Sequence, residues 1–373
     1  MSRKEPFITK DIHPKTLLVG IYTPFNKISN ADYYFEEFLS LVKTAGLIYD
    51  ETFFMKVREV DNNKFFTKGK MEELKKICGD HQYEQVIFSE ILSPLQERNL
   101  EDILDCCIFD RTQLILHIFK NAAKTSEGKI QVEMAETEFL KTRIIGRGKE
   151  FSQQAGYIGN RGPGETAKEK LARSFEEKLR QARKHLETLA RSREVQRKAR
   201  LGSGIPLACI IGYTNSGKSS LLNIMTKSEV LAEDKLFATL DTSTRELYID
   251  NKKVCLVSDT VGFISQLPHH LVAAFKSTLD ELQYARILLH VVDISNPAWK
   301  SQITVVNDML QELCINHPIL YVFNKTDKLD QQALADIANE LSPFQPHVMI
   351  NTRSKKEIQP LLDYLKKYLT PVV

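Results

Sequence analysis

The sequence predicts an α/β chain of 373 residues in three parts. They are an N-terminal α/β domain (1–125), a long antiparallel helical hairpin (126–204) and a C-terminal P-loop domain (205–373) whose mostly parallel sheet carries helices on both faces. Three observations predict it. Short continuous apolar runs alternate with helical spacing at both ends of the chain, as strands buried on both faces of a sheet require. Two stretches of helical spacing in the middle flank a glycine-rich loop that cannot itself be helical. The run Gly212-Tyr213-Thr214-Asn215-Ser216-Gly217-Lys218-Ser219 fits G-x-x-x-x-G-K-[ST] between a strand and a helix.

In the first part, Leu17–Tyr22 and Gln85–Phe88 read as buried strands, and Asp32–Lys43, Met71–Cys78 and Leu95–Leu104 as helices. No phosphate-loop pattern occurs there, so its chemistry is not readable from residues alone.

In the second part, Val132, Ala135, Phe139 and Ile145 keep helical spacing, and Glu165–Arg200 contains neither Gly nor Pro. Leu171, Phe175, Ala182, Leu186 and Leu189 form a stripe at three- and four-residue intervals. The two helices are expected to pack antiparallel through these stripes, with the tip at 146–164. Between Lys141 and Arg200 stand about 17 Lys/Arg against about 7 acidic residues. That segment carries about +10 of a chain whose net charge is only +3. Concentrated cations of this kind suit a phosphate backbone. The tip offers Arg147, Lys149, Tyr157 and Arg161 for irregular RNA, which is read by shape, phosphate contact and stacking. A solvated spacer is the competing reading. Leu201–Pro206 then breaks the helix.

The third part opens on the apolar strand Leu207–Ile211, and Ser220–Met225 reads as the helix after the loop. Glycines let backbone N–H groups turn inward around phosphate oxygens. Lys218 supplies a point charge and Ser219 a hydroxyl for Mg²⁺, at a helix N-terminus that favours anions. Roughly 40 residues on, the strand Val254–Ser258 ends in Asp259-Thr260-Val261-Gly262, which fits D-x-x-G. Asp259 can hold a water on Mg²⁺ and the Gly262 N–H can face a γ-phosphate. Asn324-Lys325-Thr326-Asp327 follows the strand Pro318–Phe323. The Asp327 carboxylate accepts only, so it suits the N1–H and 2-amino donors of guanine, which adenine lacks at those positions. Asn324 braces the loop and the Lys325 stem can cover the base. Between the two phosphate motifs lies Leu236-Phe237-Ala238-Thr239-Leu240-Asp241-Thr242, and either Thr239 or Thr242 can complete the Mg²⁺ shell. Phe263 follows Gly262 where a water-orienting glutamine often stands, so hydrolysis is expected to be slow without a partner, unless Ser265 or Gln266 serves instead.

No run of 18 apolar residues occurs, and Met1–Pro6 has no apolar segment of the kind that opens a signal peptide. The six cysteines (Cys78, Cys106, Cys107, Cys209, Cys255, Cys314) lack C-x-x-C pairing and read as reduced core residues. A cytoplasmic, monomeric protein is expected.

Phe237–Asp241, Asp259–Phe263, Arg161-Gly162-Pro163-Gly164-Glu165, Thr67-Lys68-Gly69-Lys70 and Ser93–Leu100 together resemble the HflX-type GTPases of the Obg-HflX superfamily, over nearly the whole chain. The resemblance implies a Mg²⁺-dependent GTPase domain that hydrolyses GTP to GDP. It also implies binding to the large (50S) ribosomal subunit through its 23S rRNA, and splitting or rescue of stalled ribosomes. The 146–164 tip would reach toward the peptidyl transferase centre. It assigns Ser219 and Thr239 to the metal, which settles the choice against Thr242, and gives Lys218, Thr239 and Gly262 the catalytic roles. Gly212 through Ser220, Phe237 through Asp241, Asp259 through Gly262, Asn324, Lys325 and Asp327 would bind nucleotide. The last guanine loop of the family usually carries Ser-Ala. Here it reads Asn351-Thr352-Arg353, whose backbone N–H groups could serve. The chain ends soon after the helix Ile358–Leu369, so the extra C-terminal domain of some relatives is expected to be missing. An ATP-dependent activity is associated with the family's N-terminal domain, but no motif here bears on it. A large-subunit assembly GTPase and a signalling GTPase switch that binds a protein through its arm are the competing functions.

Overall fold

The computed structural model describes residues 13–26, 28, 30–146, 163–202, 204–226, 235–240, 243–268, 271 and 279–369. Asp241 and Thr242, and the tip residues Arg147, Lys149, Tyr157 and Arg161, lie outside them.

The N-terminal sheet is wholly parallel, in the order β2-β1-β3-β4, from β1 (Thr16–Tyr22), β2 (Glu51–Lys56), β3 (Gln85–Phe88) and β4 (Cys107–Phe109). Helices α1 (Ala31–Ala45), α2 (Lys68–His81), α3 (Pro94–Leu104) and α4 (Arg111–Ala122) cover it. β1 and β3 are buried nearly throughout, which is why both read directly as apolar runs. β2 is an edge strand with four exposed residues, and β4 has only three residues. Local sequence signals are clearest at the helix starts. Ser93 with Gln96, and Asp110 with Gln113, form reciprocal capping boxes for α3 and α4.

Helices α5 (Ser126–Gly146) and α6 (Pro163–Gly202) run antiparallel, tied by Lys141–Glu176 at 3.1 Å and Arg183–Glu138 at 3.2 Å. The expected apolar contact between them is corrected in one respect. Val132, Ala135 and Phe139 of α5 pack into the core shared with α1 and α4, not against α6. The side of α5 bearing Ile130, Met134 and Thr137 instead lines a groove together with Leu179 and Ala182 of α6. Helix α5 has apolar residues on two faces, and one sequence stripe cannot reveal which neighbour takes which face. Arg143 of α5 is buried on the N-terminal domain, 2.6 Å from Glu97 and 2.8 Å from Asp110, so the hairpin is rooted there.

The C-terminal sheet has the order β10-β9-β8-β5-β7-β6, parallel except for the β6–β7 pair. Its strands are β5 (Leu207–Gly212), β6 (Ser243–Ile249), β7 (Lys252–Asp259), β8 (Ile287–Asp293), β9 (Ile319–Asn324) and β10 (His347–Met349). Helices α7 (Lys218–Thr226), α8 (Trp299–Glu312), α9 (Gln331–Glu340) and α10 (Gln359–Leu369) complete it. The phosphate loop leaves central β5, and the segments after β7 and β9 emerge at the same carboxyl edge, where ligands of open α/β sheets bind.

The two sheets are joined through buried charge. Arg111, at the start of α4, is fully buried and lies 2.6 Å from Glu37 of α1. The same guanidinium donates to the Ser265 carbonyl at 3.0 Å, and the Ser265 hydroxyl donates to Glu37 at 3.0 Å. Removing one partner of such a pair strands the other charge away from water. Arg111→Met is therefore expected to cost about 3–5 kcal/mol of unfolding free energy. Glu37→Gln combined with Arg111→Met should recover much of that loss. Equilibrium denaturation of the two single variants and the double variant checks both expectations.

Candidate functional site

The loop Tyr213–Gly217 carries the chain from β5 into α7, and its shape depends on two glycines. Gly217 has φ +96°, and a Cβ there would collide with Asn324 Nδ2. Gly262 approaches so closely that a Cβ would sit 3.0 Å from Lys218 Nζ. The Phe263 N–H donates to the Gly212 carbonyl at 3.1 Å and the Thr214 N–H to the Phe263 carbonyl at 2.7 Å. The loop and the segment after D-x-x-G are thus one bridged unit.

One cavity is lined by Thr214, Asn215, Gly217, Lys218, Ser219, Ser220, Phe237, Ala238, Thr239 and Gly262. Residues from both phosphate motifs and the threonine segment converge there. Lys235 lines the same cavity and was not expected, because it precedes every recognisable motif in its segment. Lys218 Nζ donates to the Tyr213 carbonyl at 2.7 Å, closing the loop on itself. Burial pushes its ammonium down to about 8, while Asp259 opposes the shift. Burial also pushes the Asp259 carboxyl above its ordinary range, against Lys218, Ser219 and the Thr260 N–H. The Ser219 hydroxyl lies 2.6 Å from that of Thr239 and 2.9 Å from Asp259 Oδ2. These three oxygens are hard donors gathered at one point, a set that fits Mg²⁺ with phosphate oxygens and water as its remaining ligands. Among the described residues no cluster of three His, Cys, Asp or Glu side chains offers a competing metal site.

Other expected residues act through their backbone or pack elsewhere. The Thr260 hydroxyl donates to the Ile210 carbonyl, and Val261 and Leu240 are buried in the core. Phe237 is buried edge-on against Phe119 of α4 at 4.7 Å between ring centroids. With the Leu236 N–H donating to Thr44 Oγ1 at 3.3 Å, this fixes the threonine segment to the N-terminal domain. The Tyr213 side chain turns away from the cavity and donates to Glu37, while accepting the Ser265 N–H at 2.8 Å. Phe263 is buried in the core. Neither alternative for the missing glutamine lines the cavity. Ser265 is held by Glu37 and Arg111, and Gln266 donates to Glu90 at 3.1 Å and accepts from Tyr34 at 3.3 Å.

The residues expected to face a base come from β9 and the loop after β10. The Asn324 amide donates to the Ser216 carbonyl at 3.0 Å. Lys325 Nζ donates to the Asn215 carbonyl at 2.8 Å and pairs with Asp293 at 2.6 Å. Asp293, the last residue of β8, lies in no motif and in no strand read from the sequence. Thr326 Oγ1 donates to the Ile350 carbonyl at 3.0 Å, bringing the Asn351-Thr352-Arg353 loop beside Asp327. There Arg353 Nη2 lies 2.7 Å from Asp327 Oδ2. The Asn351 side chain accepts the Arg353 N–H at 3.2 Å.

Three family models match this chain. They are described as GTP-binding GTPase N-terminal (residues 32–120), GTP-binding GTPase Middle Region (122–200) and 50S ribosome-binding GTPase (207–325). A curated relative named GTPase HflX, from Lacrimispora saccharolytica, is 40% identical over 362 residues, covering 96% of this chain and 84% of its own length. Another of the same name, from Escherichia coli, is 39% identical over 322 residues, covering 86% and 75%. A crystal structure of a GTP-binding protein from Sulfolobus solfataricus in complex with GDP is 24% identical. It covers 95% of this chain and all of its own, with a TM-score of 0.47.

A phosphate ligand needs Lys218 protonated, and in the free protein that charge is lost as pH rises through about 8. Nucleotide affinity is therefore expected to hold below that pH and to fall by up to about tenfold per pH unit above it. Lys218→Ala should bind weakly throughout and lose this dependence. Titration calorimetry across the range, for wild type and variant, measures both.

Proposed function

Since the chain belongs to the HflX family of GTPases, we propose that it couples GTP hydrolysis to action on the large ribosomal subunit, splitting or rescuing stalled ribosomes. The observation that carries this reading is the rooted basic hairpin. Helices α5 and α6 project a segment rich in Lys and Arg, anchored by buried Arg143, with the 146–164 loop between them. A rigidly based cationic arm suits rRNA, and the description of the model matched by residues 207–325 points the same way. The matched spans also agree with three units, proposed as 1–125, 126–204 and 205–373. Arg147, Lys149, Tyr157 and Arg161 are proposed as the tip's RNA contacts. A cytoplasmic monomer fits this role, and no helix among the described residues is long and apolar enough to cross a membrane.

In the chemical step the residues have separate tasks. Lys218 offers its charge to the β- and γ-phosphates, and the Gly262 N–H faces the γ-phosphate. Ser219, Thr239 and, through water, Asp259 would hold Mg²⁺, which when bound neutralises charge developing on the β- and γ-oxygens. Asn324 and Lys325 brace the base loop against the phosphate loop, and Asp327 reads the N1–H and 2-amino group of guanine. Asn351, Thr352 and Arg353 close the base side. Catalysis then rests on positioning and electrostatics.

Asp327→Asn should shift preference from guanine toward xanthine nucleotides, because an amide N–H can donate to the 2-oxo group. Competition binding with GTP, XTP and ATP measures the shift. Equal affinity of the wild type for ATP and GTP would remove the guanine assignment.

The ribosomal role is tested by GTP turnover with and without 50S subunits, for wild type and for a deletion of Gly148 to Gly162, across a salt series. The free protein should turn over slowly, and subunits should accelerate it strongly. That stimulation should fall steeply with salt as rRNA contacts are lost. The deletion should retain nucleotide binding and lose stimulation. Indifference to subunits, deletion and salt alike would return the arm to a spacer. Co-sedimentation with a GTP analogue on mature and precursor large subunits separates splitting from assembly.

A further inference from the structure

We propose that Arg353 is a specificity-determining residue that widens the base site toward purines lacking the 2-amino group, so that inosine nucleotides are accepted nearly as well as guanosine nucleotides. The proposal rests on the reading of Asp327 as the guanine-binding carboxylate. Its physical basis is the Arg353 Nη2 to Asp327 Oδ2 contact of 2.7 Å. The Asp327 side chain is only 16% exposed, whereas that of Arg353 is 73% exposed. The guanidinium thus reaches from solvent onto a carboxylate that is largely withdrawn from water. The arrangement is local and supported. Thr326 Oγ1 ties the Asp327 loop to Ile350, and the Asn351 side chain holds the Arg353 N–H. The other cation of the base site, Lys325, is engaged by Asp293 and the Asn215 carbonyl. The 2.7 Å ion pair of Asp327 is therefore made by the arginine of the loop, not by the lysine of its own motif.

A carboxylate offers about four acceptor positions on two oxygens. Guanine fills one on each, through N1–H and the 2-amino group, and Arg353 can keep another on Oδ2. When the base is hypoxanthine the 2-amino donor is missing. In a site whose aspartate has no other partner, one oxygen then loses a charge-assisted hydrogen bond, a loss of roughly tenfold or more in affinity. With Arg353 in place, Oδ2 keeps a donor whichever base is bound. With Oδ2 placed opposite the 2-amino group, as the proposal requires, the guanidinium also draws charge from that oxygen and weakens the contact for guanine. Both effects narrow the gap between the two purines. Adenine stays excluded, because its N1 is an acceptor and faces the same carboxylate.

The test measures affinities of GDP, IDP and ADP for the full chain as wild type, Arg353→Ala and Arg353→Lys, by competition against a fluorescent guanine nucleotide, with a thermal melt of each variant confirming folding. Wild type is expected to bind IDP within about tenfold of GDP. Arg353→Ala should widen the GDP-to-IDP ratio by about tenfold, and Arg353→Lys, which keeps a cation but not the planar fork, should fall between them. An unchanged ratio in Arg353→Ala, with ADP still rejected, overturns the role of Arg353 and leaves the guanine site standing. If wild type binds ADP as tightly as GDP, the guanine reading itself fails.

Discussion

Arg111 and Glu37 are ionised side chains held almost wholly out of water, and the relation between the two sheets depends on their pairing. Buried charges are tolerated only when their partners are complete and well placed. Glu37 receives Arg111, the Tyr213 hydroxyl and the Ser265 hydroxyl, while Arg111 also reaches the Ser265 carbonyl and lies over the Tyr34 ring. These groups come from α1, α4, the phosphate loop and the segment after D-x-x-G. Moving any one of them leaves a charge or a buried hydroxyl without its partner, so the four elements form a set with few permitted arrangements. Tyr213 is the sharpest case. Its carbonyl accepts from Lys218 and its hydroxyl donates to Glu37, so one residue belongs to the phosphate cradle and to the domain junction.

Burial also sets the charge state around the phosphates. Desolvation lowers the Lys218 ammonium and raises the Asp259 carboxyl, and each partly offsets the other. His290, paired across from Ile211 on the neighbouring strand, is pushed by burial to about 3 and is neutral at physiological pH. A second cation is therefore not added beneath Lys218. The buried Lys218 ammonium and Asp259 carboxyl then stand beside the Ser219 and Thr239 hydroxyls, an arrangement that the charges of a nucleotide and a divalent ion would complete.

Four interior strands are legible in the sequence for a simple reason, whereas β8, equally buried, is not among those read from it. Strands β1, β3, β5 and β9 are buried enough to appear as apolar runs, and the loops after β5, β7 and β9 carry residue types that phosphate and base chemistry demands. Strand β2 half faces solvent and β6 lies at a sheet edge, so neither shows such a run. Helix α5 shows how a correct period can still leave the packing open, because apolar residues on two faces have two neighbours to choose from. The junction was hidden for a different reason. Glu37 and Arg111 are 74 residues apart, and Ser265 lies 154 beyond Arg111. A buried charge in an amphipathic helix looks like any surface charge until the tertiary partner is known. Lys235 stands just outside the 236–242 segment, and Asp293 ends a strand far in sequence from any motif, so neither carries a signal of its own.

Phe263 brings the fold and the chemistry into direct conflict. Its backbone bridges Gly212 and Thr214, and its ring is buried in the core that includes Tyr213, Phe237 and Phe119. A polar side chain at this position would have to be buried in apolar surroundings or leave the core, and either would disturb the phosphate loop bridged to it. The nearby polar residues cannot substitute in this arrangement, because Ser265 completes the shell of Glu37 and Gln266 is held between Glu90 and Tyr34. Withdrawing Ser265 toward the phosphates would expose Glu37 and Arg111 to the desolvation penalty their pairing offsets. The same contacts that define the domain junction therefore hold Ser265 and Gln266 away from the cavity. Groups supplied in trans to such sites are worth about 10³–10⁵ in rate, which leaves ample room for a partner to complete the chemistry.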